Sequence, residues 1–483
     1  MQNISRAELP VKRYVAQISN MLIGFAALGF ILLFLTLSYF NRPANEDIVF
    51  VAIVRKQGFF EFVHWFYTGW CGRWMSSSLY YFILSASSTF QHIHYVYFLY
   101  YSVIIIVFIY AVSTIIQKGC HRFLHAVIDT RTSIVYSVLF IAGFYFSAFQ
   151  NIEVWWWIFS SVDTLQGIIL LLLVCALLLK NKKSNLHFLI ICFCGLYLGG
   201  SFEVYAIIIG AVVLLLFAYL LLTKAIRLVD FINNYFLKRF AVAFILFAIA
   251  TAISVISPGN FKRREKYVGD HITLQTGSYQ NTEFPITLHD FVQKKYLVAL
   301  LIAGLWLLLG MKLKSAKENL ELSKQLRKAL LFSFGLIMLS IIITYCFQIL
   351  FLSYYTIPLR GWTFTSFSLF VFFCTLFFCT GVKLKTMNVI LKNTLLILLP
   401  TVVTAFMFGY FIKQYQYTSR YAEAYDKLIT HLIVEGKNKE TKVLYVQPLP
   451  ESGMLLPLEI GTEYIDGSVK EIFNLNFNMV RKK

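Results

Sequence analysis

Long apolar runs recur along the whole chain and limit its fold more than any other feature. A membrane span needs roughly 17–25 consecutive apolar residues. Hydrophobic residues make up 58% of the sequence and charged residues 14%, a balance that excludes a water-soluble domain. The sequence therefore predicts an all-α, polytopic transmembrane helical bundle of about eleven spans. They lie near 20–40, 94–117, 130–150, 163–179, 187–200, 205–223, 239–257, 296–311, 330–352, 363–381 and 389–412.

The distribution of Lys and Arg predicts the orientation of the bundle. With the N-terminus inside, the inner segments carry these residues at roughly three times the density of the outer loops. The apolar stretch 187–223 is too long for one span, and we divide it at 199–203 into an outward hairpin. A single tilted helix is the alternative, but it would place the basic cluster at 312–328 outside. We therefore expect an N-in/C-out topology.

The same orientation explains the formal net charge of +19. Basic residues next to spans mark the cytoplasmic side and attract anionic lipid headgroups. Membrane lipid is thus the expected partner of this charge, and nucleic acid is not.

The spans and loops divide the chain into two predicted regions. Residues 1–412 form the transmembrane domain, whose outer loops 41–93 and 258–295 are long. The first of these loops carries two apolar, aromatic segments typical of interfacial helices. Residues 413–483 form a small extracytoplasmic C-terminal cap.

Two sequence patterns in this cap predict a small α/β element. Residues 415–433 have the pattern of an amphipathic helix, and 442–447 alternate like a strand. Such a tail is too small for a large core of its own. We expect it to dock on the membrane domain.

Ten acidic residues before position 413, Asp163 among them, lie in predicted outer loops or at outer span ends, and five lie in inner segments. Glu46 and Asp47 follow the first span, and Glu153 and Glu203 lie in later outer loops. No acid lies in the middle of a span, where ion-coupled transporters usually carry one, so a transporter is disfavoured. Glu46 and Asp47 have an alternative interpretation, as a solvated loop start or as an N-cap for a short helix after Asn45.

Arginines in three separate outer loops complement these acids. They are Arg73 after Gly72, the pair Arg263 and Arg264, and Arg360 before Gly361. Arg forms bidentate, charge-assisted hydrogen bonds with phosphate oxygens, so these residues are candidate phosphate ligands. The alternative is contact with lipid headgroups.

Tryptophans are also concentrated at the predicted outer span ends: Trp65, Trp70, Trp74, Trp155, Trp156, Trp157 and Trp362. An aromatic belt at the membrane surface is the interpretation we favour for most of them.

In order and placement, these motifs resemble the GT-C superfamily of polytopic glycosyltransferases that use lipid-phosphate sugars. The likeness is to bacterial O-antigen glucosyltransferase-like proteins and to a related, poorly characterised bacterial membrane family. It is carried by short motifs between positions 45 and 360: Asn45-Glu46-Asp47, His64 to Trp70 with Gly72-Arg73, Glu153 before Trp155-Trp156-Trp157, Ser201-Phe202-Glu203, Pro258-Gly259-Asn260 with Arg263 or Arg264, and Pro358-Leu359-Arg360.

The resemblance implies a catalytic carboxylate in the first outer loop, which is Asp47 or Glu46. Many relatives have Asp-Asp or Glu-x-Asp where this chain has Glu-Asp, so the choice between the two residues stays open. The Trp triplet also departs from the family pattern, which leaves the role of Glu153 open.

The expected activity is an inverting sugar transfer on the outer face of a bacterial cytoplasmic membrane. The donor would be a polyprenyl-phosphate sugar, the acceptor an envelope glycan or lipid, and Arg73, Glu153, Glu203, Arg263, Arg264 and Arg360 would bind the substrates. Whether a divalent metal bridges the carboxylate and the phosphate is left open, because the sequence shows no recognisable set of metal ligands. The alternatives are a lipid-linked-sugar flippase or exporter and a non-catalytic membrane protein of envelope assembly.

The topology can be tested by cysteine accessibility in a background that lacks the eight native cysteines. We expect Cys at position 278 to react with an impermeant reagent in intact cells, and Cys at position 184 to react only after permeabilisation. Labelling in the opposite order would show that the orientation is wrong.

Overall fold

The computed structural model describes residues 4–87, 89–148, 151–180, 184–222, 235–263, 265, 294–312, 320–352, 359–384, 388–437, 443–458, 463–475 and 478–481. Helices account for nearly all of these residues, so the all-α prediction is confirmed. In chain order they are α1 Ile4–Phe40, α2 Glu46–Lys56, α3 Phe59–Trp65, α4 Trp74–Ser85, α5 Ile93–Leu124, α6 Thr130–Ser147, α7 Asn151–Trp156, α8 Ile158–Lys180, α9 Asn185–Gly200, α10 Glu203–Leu222, α11 Tyr235–Val255, α12 Lys294–Lys312, α13 Leu320–Leu352, α14 Thr363–Lys383, α15 Val389–Glu435 and α16 Glu463–Phe473.

Within this described part, seven helices are long and apolar enough to cross a membrane. They include parts of α1, α5, α8, α11, α13, α14 and α15. Three further apolar helices are shorter: Asn185–Gly200, Glu203–Tyr219 and Tyr296–Lys312. The protein is thus a multi-pass helical membrane protein by the length and composition of its helices.

The bundle is held by close packing between pairs of helices. The strongest pairings join α1 to α15, α12 to α14, and α9 to α11. A single large hydrophobic cluster runs through the bundle. Its centre is aromatic: Trp156 packs on Phe34 at a ring distance of 5.2 Å, and Trp155 on Tyr145 at 5.3 Å.

The aromatic-belt interpretation is wrong for four tryptophans. Trp155, Trp156, Trp157 and Trp362 are all buried, each with at most 4% of its surface exposed. Hydropathy and position along a span do not separate a ring that faces lipid from one that faces a neighbouring helix. Here the rings fill the space between helices.

The predicted division of the 187–223 stretch is confirmed. α9 ends at Gly200 and α10 begins at Glu203, with Ser201 between them at φ −106° and ψ −115°, outside helical geometry. Glycine lets α9 approach α11 closely, because a Cβ at Gly199 would lie 2.3 Å from the Phe247 carbonyl oxygen. α9 and α10 are therefore two separate helices with a break at Ser201.

The C-terminal region is built on one long helix. α15 runs unbroken from Val389 to Glu435 and contains Pro400, so the boundary predicted at 412/413 falls within a helix. Strand β1, Val443–Val446, lies in the predicted range and pairs in parallel with β2, Asn478–Arg481.

The residues after α15 dock on the bundle, as expected for a cap. The amide of Leu458 donates to the Tyr421 hydroxyl of α15 at 2.8 Å. On the other side, Lys56 of α2 forms an ion pair with Glu471 of α16 at 2.8 Å. Apolar residues of this tail belong to the same cluster as the bundle core.

The start of the loop predicted at 258–295 packs tightly against the first loop. The Ser257 hydroxyl donates to the Tyr67 carbonyl oxygen at 2.5 Å, and the Gly72 amide donates to Asn260 Oδ1 at 3.2 Å. A Cβ at Gly259 would lie 2.7 Å from both the Tyr67 carbonyl oxygen and the Cys71 amide nitrogen. Only glycine allows this contact between two backbones.

Gly259→Ala should therefore destabilise the protein, because two stretches of backbone must move apart. Overpacking of this kind typically costs about 1–3 kcal/mol. Gly409→Ala is the matched control, since nothing lies within 4 Å of a Cβ at that helical position. The midpoint of unfolding in detergent measures both. Equal midpoints for the two variants would contradict the tight contact.

Candidate functional site

A buried arginine joins three parts of the bundle. Arg73 Nη1 donates to Asp163 Oδ2 at 2.5 Å, and its Nε donates to Glu203 Oε2 at 3.1 Å. The side chains of Asp163 and Glu203 are 3% and 1% exposed, and that of Arg73 is 12% exposed. The guanidinium also lies 4.5 Å from the centre of the Phe202 ring. We call Arg73, Asp163 and Glu203 the buried charge cluster.

Each member of the buried charge cluster stands at a break in a helix. Arg73 is the residue before α4, and Glu203 is the first residue of α10. Asp163 lies in a π-helical turn, Ser161–Leu165, within α8. Such turns are uncommon and occur often at functional sites. These positions bring the three side chains to one point, although Arg73 and Glu203 are 130 residues apart in the sequence.

The buried charge cluster carries one more negative than positive charge, and its polar atoms are not all paired. Glu203 Oε1 is buried and has no hydrogen-bond partner among the described residues. A buried charged oxygen without a partner is costly. The site is therefore more polar than packing alone requires.

Arg263 extends this region towards the start of the loop predicted at 258–295. Its Nη2 donates to Asn260 Oδ1 at 3.4 Å, the same oxygen that accepts from the Gly72 amide. Burial raises the pKa of the neighbouring Cys71 thiol to about 12, although the positive charges of Arg73 and Arg263 lower it. Both cations are thus within electrostatic reach of Cys71.

Asp47 forms a second polar centre, at the start of α2. It is 1% exposed, and Oδ1 accepts a hydrogen bond of 2.7 Å from the Tyr80 hydroxyl. The buried hydroxyls of Tyr97 and Tyr101 interact electrostatically with the Asp47 carboxyl group. Burial raises the pKa of Asp47 to about 7, and the Tyr80 hydrogen bond offsets only part of that effect. Asp47 is therefore a carboxyl group that changes protonation near neutral pH.

The backbone just before Asp47 is strained. Asn45 has φ 48° and ψ −120°, a conformation that residues other than glycine rarely adopt. Its Oδ1 is buried without a hydrogen-bond partner in the described part of the chain. Strained backbone of this kind is concentrated at functional sites.

α4 links the two centres. Arg73 precedes this helix, and Tyr80 follows seven residues later on it, about 10 Å along the helix axis. The buried charge cluster and Asp47 are thus two neighbouring sites built on one short helix.

The other predicted site residues are placed less completely. Glu46 is the first residue of α2, next to Asp47 but only half-buried, and Glu153 is half-buried in α7. Arg264 lies outside the described residues. Arg360 belongs to a single 3₁₀ turn, Leu359–Trp362, and its side chain is outside the described part.

Sequence reasoning missed two members of these sites. Asp163 was visible only as one more acid at a span end, and no pattern pairs it with Arg73. Tyr80 lies in an apolar helix, where a tyrosine normally packs its ring. Partners from distant segments leave no spacing signal in one sequence.

The described side chains form no recognisable metal site. No three His, Cys, Asp or Glu residues come together to hold an ion in the part of the chain described here. Asp163 and Glu203, which Arg73 brings together, already accept hydrogen bonds from its guanidinium.

No family model matches the sequence, and neither the curated proteins nor the solved structures include a match.

Arg73→Met should strongly destabilise the protein, because it leaves two carboxylates buried without a cation. Loss of one partner of a buried ion pair typically costs about 3–5 kcal/mol. The free energy of unfolding in a detergent titration measures this loss. The matched control is the triple variant Arg73→Met, Asp163→Asn, Glu203→Gln, which removes all three charges and should recover much of the stability. If Arg73→Met alone is as stable as the wild type, the cluster is not a structural link.

Proposed function

We propose that the protein transfers a sugar from a polyprenyl-phosphate donor to a cell-envelope acceptor, with Asp47 as the general base. The observation that carries the proposal is the buried Asp47, with its pKa near 7, beside a strained turn in the first loop. A general base works best when its pKa lies near the operating pH. Groups perturbed in this way are concentrated at functional sites.

The contrast between the two neighbouring acids favours Asp47 over Glu46. Asp47 is buried and accepts a hydrogen bond from Tyr80, whereas Glu46 is half-buried at the surface of α2. A hydroxyl donor fixes the orientation of the carboxylate and leaves the other oxygen, Oδ2, next to the Ala44 amide at 3.5 Å. An acceptor hydroxyl would replace that long contact.

In the proposed reaction Asp47 removes the proton from the acceptor hydroxyl as its oxygen attacks the anomeric carbon of the donor. The new C–O bond forms on the face opposite the phosphate, the bond to the phosphate oxygen breaks, and the lipid phosphate leaves with the electron pair. Phosphate is a good leaving group, so a second acid is not required, unlike in a glycosidase.

Cations would stabilise the charge that develops on the leaving phosphate. Among the residues that the structure describes, Arg263 is the candidate, because it is half-buried and its guanidinium donates to the Asn260 amide oxygen over a long 3.4 Å. Arg264 and Arg360 are further candidates from the sequence. Arg73 is less suited to this role than the sequence indicates, since Asp163 and Glu203 already bind two of its nitrogens.

The proposal includes a placement in the membrane. We propose about eleven spans, the N-terminus inside and both polar centres at the outer face of a bacterial cytoplasmic membrane. Support comes from the end of α9 and the start of α10, which both contact the first loop. A donor lipid could then lie between helices while its sugar reaches α2.

Asp47→Asn should lower turnover by about 10²–10⁴-fold, the usual contribution of a general base, while donor binding survives. Asn keeps the shape of the side chain but cannot take the proton. In the wild type the rate should rise with pH and level off above about 7, as Asp47 loses its proton. The assay is sugar transfer from polyprenyl-phosphate donors in nanodiscs.

Glu46→Gln is the matched control, since it neutralises the adjacent acid outside the buried position. It should retain most of the activity and the same pH profile. Full transfer by both variants would show that the first loop is not the catalytic centre. A membrane scaffold or an exporter would show no transfer in the wild type.

A further inference from the structure

A large groove runs along the C-terminal half of α15, from Tyr415 to Val434, beside the end of α1. Its volume is about 840 Å³, and a second cavity of about 310 Å³ adjoins it. Both volumes fall in the range of small-molecule sites, roughly 300–1,000 Å³. Arg42, Asp426 and Thr430 line both cavities, so these three residues form the wall that the cavities share.

The shared wall is rigid and presents a fixed acceptor. Arg42 is 6% exposed and binds Asp426 with two parallel hydrogen bonds, Nε to Oδ1 and Nη2 to Oδ2, each 2.8 Å long. Its Nη1 donates to the Tyr39 and Asn41 carbonyl oxygens. Asp426 is half-exposed, so its remaining lone pairs face the cavities. A carboxylate held in this way is a strong acceptor for ligand hydroxyls.

Charge in the groove is balanced. Arg42 pairs with Asp426, and Lys427 pairs with Glu423 at 2.6 Å, so the four charged side chains of the lining sum to zero. A phosphate would gain no net attraction here and would meet two carboxylates. The lining therefore suits a neutral ligand that is rich in hydroxyl groups.

Aromatic rings line the end of the groove nearest α1 and the middle of α15. Tyr39 and Tyr415 are 43% and 50% exposed, and Phe40 lies between them, 5.9 Å from the Tyr415 ring. Electron-rich ring faces attract the positive C–H edges of neighbouring groups. A pyranose ring offers such C–H groups on its face and hydroxyls around its rim. A saccharide of more than one ring could therefore contact the aromatic rings and also Asp426, which lies about three turns further along the same face of α15.

We propose that this groove binds a neutral saccharide, with Tyr39 and Tyr415 stacking on the sugar rings and Asp426 accepting their hydroxyls. Its identity as the acceptor glycan rests on the proposed function. The position is suitable, because Tyr425, the neighbour of Asp426, donates to the Pro43 carbonyl oxygen at 2.9 Å, four residues before Asp47.

Binding can be measured without a donor, by saturation-transfer NMR on the full-length protein in nanodiscs. The probes are four neutral disaccharides, maltose, cellobiose, lactose and N,N′-diacetylchitobiose, with glycerol 1-phosphate as an anion with the chemistry of a lipid headgroup. We expect saturation transfer to at least one disaccharide and none to glycerol 1-phosphate. Tyr415→Ala and Asp426→Asn should each lower the affinity for that disaccharide by about fivefold or more.

Tyr445→Ala is the matched control, because this exposed tyrosine on β1 lies outside both cavities. It should bind as the wild type does, and circular dichroism verifies that each variant is folded. No binding of any disaccharide, equal binding in Tyr415→Ala and Asp426→Asn, or preference for glycerol 1-phosphate would each overturn the proposal. Asp47→Asn should retain binding, so failure of the groove and failure of the catalytic assignment give different results.

Discussion

The contact of Arg73 with Asp163 and Glu203 is the interaction on which the rest of the site depends. It joins the first loop to α8 and to α10, three segments that the chain separates widely. Two carboxylates inside an apolar bundle would be very unfavourable without a cation between them. This requirement fixes where α4 begins, and α4 in turn carries Tyr80 to Asp47.

Glycines allow the same segments to approach each other closely. Gly72 and Gly259 allow the first loop and the residues after α11 to touch backbone to backbone, and Gly200 lies against Trp74 and Met75 at the start of α4. Side chains of ordinary size at these positions would push α4 away from α9 and α10. The buried charges thus supply the attraction, and the small residues supply the close approach that hydrogen bonds need.

Asp47 and the groove beside α15 are connected through a short piece of backbone. Residues 41–45 leave α1, contact Asp426 and Tyr425 through Arg42 and Pro43, and enter α2 at the strained Asn45. The segment therefore gives the proposed binding site and the proposed base a common structural element.

Sequence alone determined the class of the molecule, because apolar runs and helix breaks are local properties. It predicted a helical membrane protein, the helix break at Ser201, the helices of the first loop and the strand near 443, all set by hydropathy, glycine and alternation along the chain. Partners were decided only by the tertiary structure. The pairing of Arg73 with Asp163, the Tyr80 bond to Asp47, the burial of Trp155 to Trp157 and the Arg42–Asp426 wall each join distant segments. Whether a polar side chain is exposed, paired or desolvated depends on what packs against it, and no pattern along one chain records that neighbour.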